Sequence, residues 1–285
     1  VAPAAGGDEG DGGGAATLVL VGGHESGRAA ALRPQVEAGR AFRAVGVGRE
    51  LARAVTEALA HADRPVCVLP MTLGRDPRLV AETARALRWL TGPATHGRVA
   101  LAEPFGAAVH LVGWLRAAAG RIAGDDRTEA TVLVTAPAGG PFDDAELFRI
   151  ARLVRQHGTH RSVEVAFHGG DPGIAEGVDR CRRLGARRVV MLPAGFGPAA
   201  PEPVPGAEDG GPLLAPPALG EVLLARTQAA LHRLRHGEDG IAAGLDAEHG
   251  HGYPHSHPDP DTDGTHPHPH PHVHSHPHPH DARQH

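Results

Sequence analysis

The decapeptide LVLVGGHESG (18–27) ends an apolar run in two glycines, a histidine and an acid. His24 offers a neutral imidazole nitrogen for a divalent cation, and Glu25 a carboxylate for a cation or a proton. Gly22 and Gly23 would let the backbone come close to whatever those groups hold. The spacing GGHESG fits neither the dinucleotide fingerprint nor the nucleoside-triphosphate loop, which argues against phosphate. The alternative is a solvated turn histidine. A second candidate loop, PMTLGRDPRLV (70–80), carries Arg75 and Asp76. Asp76 serves either as a metal ligand or proton acceptor, or as the N-cap of the helix that Pro77 opens. Arg28 and Arg75 can pair with substrate carboxylates, because a guanidinium binds them bidentately. His168 follows an apolar strand, with Gly169 and Gly170 behind it, and is a further candidate for substrate contact. His110, in GAAVHLVGWLRAA, reads as a helix-face residue.

A different kind of site is written into the far end of the chain. Residues 249–285 carry 13 of the 22 histidines, and His266, His268, His270, His272, His274, His276, His278 and His280 alternate largely with proline. Proline at that density denies both helix and strand. The expectation is a disordered tail with many overlapping imidazole sites for Co(II), Ni(II), Cu(II) or Zn(II). Its affinity should fall as pH drops through about 6.5, where imidazole takes up a proton.

The elements that must position these groups follow from periodicity. TLVLVG (17–22), VCVLP (66–70) and RVALAE (98–103) read as buried strands, separated by helical patterns at 48–62 and 76–90. Continuous apolar strands alternating with helices predict a parallel sheet covered on both faces. The pattern recurs: TLVLVG is answered by TVLVTA at 131, and VCVLPMTLG by VVMLPAGFG at 189. RSVEVAFHG (161–169) and the weaker GRAFRAVG (39–46) supply the remaining strands, and helices are expected at about 144–157, 172–185 and 217–235. The reading is an α/β chain of two tandem, duplicated parallel-sheet lobes. A leader (1–16) precedes an N-terminal lobe (17–125) and a C-terminal lobe (128–236), and the His/Pro-rich tail occupies 237–285. Ligands of open parallel sheets bind beyond the carboxyl ends of the strands, where His24 and Asp76 both fall.

Composition removes several classes of function. The formal charge is -5 over 285 residues and every cation is arginine, so there is no basic field for nucleic acid. Two cysteines, Cys67 and Cys181, make neither a disulfide framework nor a thiolate metal site. The leader lacks a basic start and an apolar core, and no run approaches a membrane span. The expectation is a soluble, cytoplasmic protein without membrane or nucleic-acid partners.

The histidine loop at His24, the stretch VEVAF (163–167) with GARRVVMLP (185–193), and the doubled layout resemble the sirohydrochlorin chelatases of the CbiX and SirB type over roughly residues 17–235. Long cobalt-type members also end in His-rich tails. The resemblance implies a two-lobed class II chelatase fold and insertion of Co(II), with Ni(II) or Fe(II) as alternatives, into sirohydrochlorin for cobalamin biosynthesis. It implies no cofactor beyond the substrate metal. His24 matches the family's first metal-binding histidine, whereas the second has no counterpart in 70–80. On this reading His24, Glu25 and Asp76 are catalytic, and Arg28, Arg75 and His168 bind the tetrapyrrole. The other readings are a non-catalytic metallochaperone and a ferrochelatase of siroheme synthesis. The oligomeric state is left open.

Overall fold

The computed structural model describes residues 16–33, 42–61, 64–122 and 130–248. Two four-stranded parallel sheets form its frame. The first holds β1 (Thr17–Gly22), β2 (Phe42–Gly46), β3 (Val66–Met71) and β4 (Val99–Leu101) in the order β2-β1-β3-β4. The second holds β5 (Ala130–Pro137), β6 (Val163–His168), β7 (Arg188–Pro193) and the short β8 (Glu208–Asp209) in the order β6-β5-β7-β8. The two orders are the same order, which is what the internal sequence recurrence leads one to expect. Registers agree too: Thr17 lies opposite Val66 in one sheet, and Ala130 opposite Arg188 in the other.

Helices α1 (Arg49–His61), α2 (Pro77–Leu90), α3 (Ala108–Gly120), α4 (Pro141–His157), α5 (Ile174–Arg183), α6 (Pro216–Arg235) and α7 (Ile241–Leu245) cover these sheets. Because successive strand residues point to opposite faces, each strand divides its apolar side chains between two cores. In β1, Val19 and Val21 pack with Leu51, Val55, Leu79 and Leu87 of α1 and α2. Leu20 points the other way, into a cluster that also takes Val132 and Val134 of β5 and Leu192 of β7. Leu133 returns to the far face of the second sheet with Val178 and Cys181. One central core is therefore common to both lobes.

The boundary expected between the lobes lies outside the described residues, but the packing crosses it in both directions. Helix α3, which closes the first lobe in sequence, packs against α4 and β7 of the second, and α6 crosses back onto β3 and β4 of the first. Glu103, beyond β4, pairs with Arg226 and Arg233 on α6, its bond to Arg233 measuring 3.0 Å. Folded structure also runs past the boundary expected at residue 236. The Leu101 N–H donates to the Asp239 carbonyl at 2.7 Å, and Ile241 is buried in the first lobe's outer core. A tail beginning at 237 is thus corrected for residues 237–248, because β4 needs that segment to finish its edge. The remaining tail and the leader through residue 15 lie outside the described residues.

Both cysteines are free and buried, and desolvation pushes their thiols up to about 12 at Cys67 and about 11 at Cys181. Among the described residues no helix is long and apolar enough to cross a membrane.

Candidate functional site

The loops after the central strands β1, β3, β5 and β7 meet where the two lobes join. His24, Glu25 and Ser26 form a single 3-10 turn after β1. Gly27, Arg28 and Ala29 then follow in the left-handed region, at φ 58°, 54° and 71°. Two non-glycine residues in that region cost on the order of 1–3 kcal/mol each. The turn is held by buried Ser26, whose hydroxyl donates to the Gly23 carbonyl and accepts from the Ala29 N–H, both at 3.1 Å. Gly22 and Gly23 are glycines for a steric reason. A Cβ on Gly22 would lie 2.4 Å from the Ala29 nitrogen, and one on Gly23 would lie 2.1 Å from Asp76 Oδ2.

That second approach brings Asp76 to His24. Asp76 Oδ1 accepts the Leu79 N–H at 3.0 Å and so caps α2, while Oδ2 lies 2.9 Å from His24 Nδ1 and accepts the His24 backbone N–H at 3.3 Å. The cap and the site contact are the work of one side chain, so the two readings of Asp76 are not exclusive. A carboxylate can only accept, so Nδ1 is the donor and Nε2 carries the free lone pair of the neutral ring. Imidazoles that bind metal are oriented by such a partner on the other nitrogen. Both Asp76 oxygens are committed, which makes it a positioning group and not a metal ligand in this arrangement. Burial disfavours imidazolium, but the hydrogen bond to Asp76 and the charges of Glu25 and Asp76 outweigh it, raising the His24 pKa above 6.5. Burial would raise Asp76, yet its bonds to His24 hold it below the ordinary value.

Glu25 is 1 % exposed. Its Oε2 accepts from the Thr72 hydroxyl and, at 2.9 Å, from the Leu73 N–H. Burial raises its pKa against the opposing pull of Arg75, His24 and these two donors. Arg75 is equally buried and turned into the second lobe: Nε donates to the Asp143 carbonyl at 3.2 Å, and Nη2 to the Pro137 carbonyl at 3.4 Å and Asp144 Oδ1 at 3.3 Å. Its guanidinium joins the lobes and is not presented at the surface for a substrate carboxylate. The Phe196 N–H donates to the Glu25 carbonyl at 3.0 Å, which ties the loop after β7 to the same turn.

Three buried side-chain polar atoms among the described residues have no hydrogen-bond partner: His24 Nε2, Glu25 Oε1 and Arg75 Nη1. All belong to this junction. Buried polar atoms are nearly always satisfied, and exceptions call for a functional explanation. The arrangement can hold a divalent ion on Nε2 and take up a proton on a carboxylate whose burial favours the protonated form. No three His, Cys, Asp or Glu side chains form a ready-made metal cage among the described residues.

The other candidates lie elsewhere or at the edge. Arg28 is exposed on the strained turn. His168 ends β6, where burial lowers its pKa below 6.5 and the Ala199 carbonyl partly opposes that, and no bond to His24, Glu25 or Asp76 is present. His110 accepts the Ala107 N–H at 3.1 Å and stacks on Trp114 at 5.7 Å, in a structural role. The tail histidines His266–His280 lie outside the described residues. Sequence reasoning missed Ser26, Thr72 and the GGPFDD segment (139–144). Thr72, a polar residue directly after a fully buried strand, was the one visible signal.

The fold and the junction define a two-lobed α/β protein with an oriented, unpaired imidazole where its lobes meet. Over 68 residues it is 41% identical to the sirohydrochlorin cobaltochelatase of Priestia megaterium. That match spans 23% of this chain and 22% of the relative, so the chain matches about a fifth of the curated protein's length. It bears out the resemblance to the sirohydrochlorin chelatases. Similar solved structures include a multi-domain protein of Deinococcus radiodurans described as similar to chelatases, at 23% identity and TM-score 0.44, over 76% of this chain and 55% of that one. SirB from Bacillus subtilis with Fe3+ aligns at 11% identity and TM-score 0.49, over 79% of this chain and 100% of that one. CbiX, described as the terminal enzyme of siroheme biosynthesis in denitrifying bacteria, aligns at 18% identity and TM-score 0.41, over 76% and 100%. No protein-family model matches the chain.

Proposed function

We propose that the chain is a metal chelatase that inserts Co(II) into sirohydrochlorin, with His24 holding the incoming ion. The observation that carries this reading is the unpaired Nε2 of His24, oriented from behind by Asp76 at the lobe junction. Insertion needs a ligand set weak enough to release its ion, and a single oriented imidazole with carboxylate support meets that need. It also needs acceptors for two pyrrole protons. Glu25, whose pKa burial raises, is the acceptor for one of them among the loop residues, and the other passes to solvent. Exposed Arg28 is the guanidinium available to a substrate carboxylate.

The preference for cobalt and for cobalamin synthesis is supported by the matched cobaltochelatase segment and by the His-rich tail. We assign the tail the role of a reservoir that raises local metal concentration. Anaerobic insertion followed in the visible spectrum of sirohydrochlorin, with Co(II), Ni(II) and Fe(II) in parallel, tests the assignment. Fastest insertion of cobalt is expected, and fastest insertion of iron would move the protein to siroheme synthesis. Loss of the tail after Glu248 should slow insertion at limiting metal and leave it unchanged at saturating metal. Tail-dependent metal binding without insertion above the spontaneous rate would identify a metallochaperone.

A further inference from the structure

We infer that Asp143, from the second lobe, is the carboxylate that completes the metal-holding site opposite His24, an inference that rests on His24 being the metal ligand. The evidence is a shared gap. Residue 139 is glycine, and a Cβ there would lie 2.9 Å from His24 Nε2 and 3.1 Å from Asp143 Oδ2. An imidazole donor of the first lobe and a carboxylate donor of the second therefore bracket one point, no further apart than those two lengths laid end to end. Ions such as Zn(II) bond imidazole nitrogen and carboxylate oxygen at about 2.0–2.2 Å, so joint ligation requires the Asp143 side chain to turn toward Nε2.

Asp143 alone of the neighbouring acids is among the three atoms nearest that gap. Asp76 spends Oδ1 on the Leu79 N–H and Oδ2 on His24 Nδ1. Glu25 keeps Oε1 unpaired, but its Oε2 is fixed by Thr72 and Leu73 and neither oxygen is among the three atoms nearest the gap at Gly139. Asp144 Oδ1 accepts from the Gly139 N–H at 2.9 Å and from Arg75. Asp143 uses only Oδ2, on the Gly140 N–H at 2.8 Å, and its Oδ1 has no hydrogen-bond partner among the described residues. Independently, Nε2 is itself a buried donor atom left without a partner. Arg75 fixes the height of the segment by holding the Asp143 carbonyl, so the first lobe sets where the second lobe's carboxylate stands. One nitrogen and one carboxylate oxygen make a harder, more labile site than two imidazoles, as suits an ion that must be given up.

The test is Co(II) anomalous diffraction from crystals of the full chain, for the unaltered protein, His24→Ala, Asp143→Asn and Gly139→Ala. Asp143→Asn retains an acceptor for the Gly140 N–H, so the start of α4 is kept, and an unchanged melting temperature checks this. The expected result is an ordered cobalt bonded to His24 Nε2 and an Asp143 oxygen. Its half-saturating Co(II) concentration should rise about tenfold or more in Asp143→Asn, and it should be lost when the Gly139→Ala methyl fills the gap. Cobalt on His24 at unchanged affinity in Asp143→Asn would overturn the role of Asp143 and leave that of His24 standing. No ordered cobalt at His24 in the unaltered protein would overturn both.

Discussion

A buried carboxylate with one oxygen unpaired sits beside the histidine on which the proposed chemistry turns. Glu25 has a native pKa above its unfolded value, so the folded state binds its proton more tightly than the unfolded chain does. The resulting penalty on stability is absent below about 4.5, grows as pH rises through the raised native value, and is complete above it. Glu25→Gln keeps acceptors for Thr72 and Leu73 and removes the charge. We expect this variant to be more stable than the parent at pH 7, because it carries no buried charge. The advantage should vanish near pH 4, and insertion should be impaired throughout. Melting temperatures across that range check it, and a pH-independent difference would contradict the assignment. His24 and Glu25 were legible in the sequence because glycines and polar residues interrupt an apolar strand there. Arg75 was singled out for a substrate carboxylate, but its hold on the second lobe was not legible, because that role, like the one proposed for Asp143, depends on contacts between segments remote in sequence.

At the scale of elements, α2 begins at Asp76, and that residue also orients His24. Two substitutions separate the functions. Asp76→Asn retains a cap oxygen for the Leu79 N–H but sets an amide NH2 against the His24 N–H groups, so the His24 pKa should fall and, as in Asp76→Ala, the contact to His24 is lost. Asp76→Ala should lower the His24 pKa as well and cost about 1 kcal/mol more through loss of the cap. NMR titration of the His24 ring together with urea unfolding measures both. Equal stability of the two variants would show that the cap contributes nothing. Apart from β8 and α7, strands and helices were legible to within a few residues, because apolar runs, Asp-Pro at 76–77 and the recurrence in the second half all point the same way. The exchange of α3 and α6 between lobes was hidden, since an amphipathic helix shows that one face is buried without saying against which sheet.

The molecule as a whole is two like sheets sharing one core, and its folded extent reaches residue 248. A chain ending at His236 loses the Asp239 edge bond and the burial of Ile241, worth about 1.5–3 kcal/mol for the side chain alone. It should melt several degrees below a chain ending at Glu248, which should match the full-length protein; equal melting temperatures for the two would contradict this packing. Composition marked the tail early at 237 because glycine, acid and alanine residues at 237–248 look like linker, whereas tertiary contacts recruit them. With both lobes in place, the central claim is that the junction inserts metal through His24. The most direct measurement is the rate of Co(II) insertion into sirohydrochlorin at saturating metal, under anaerobic conditions, for the intact chain and for His24→Ala. Insertion well above the spontaneous rate is expected for the first and a fall to that rate for the second, whereas equal rates in the two proteins would contradict a role for His24.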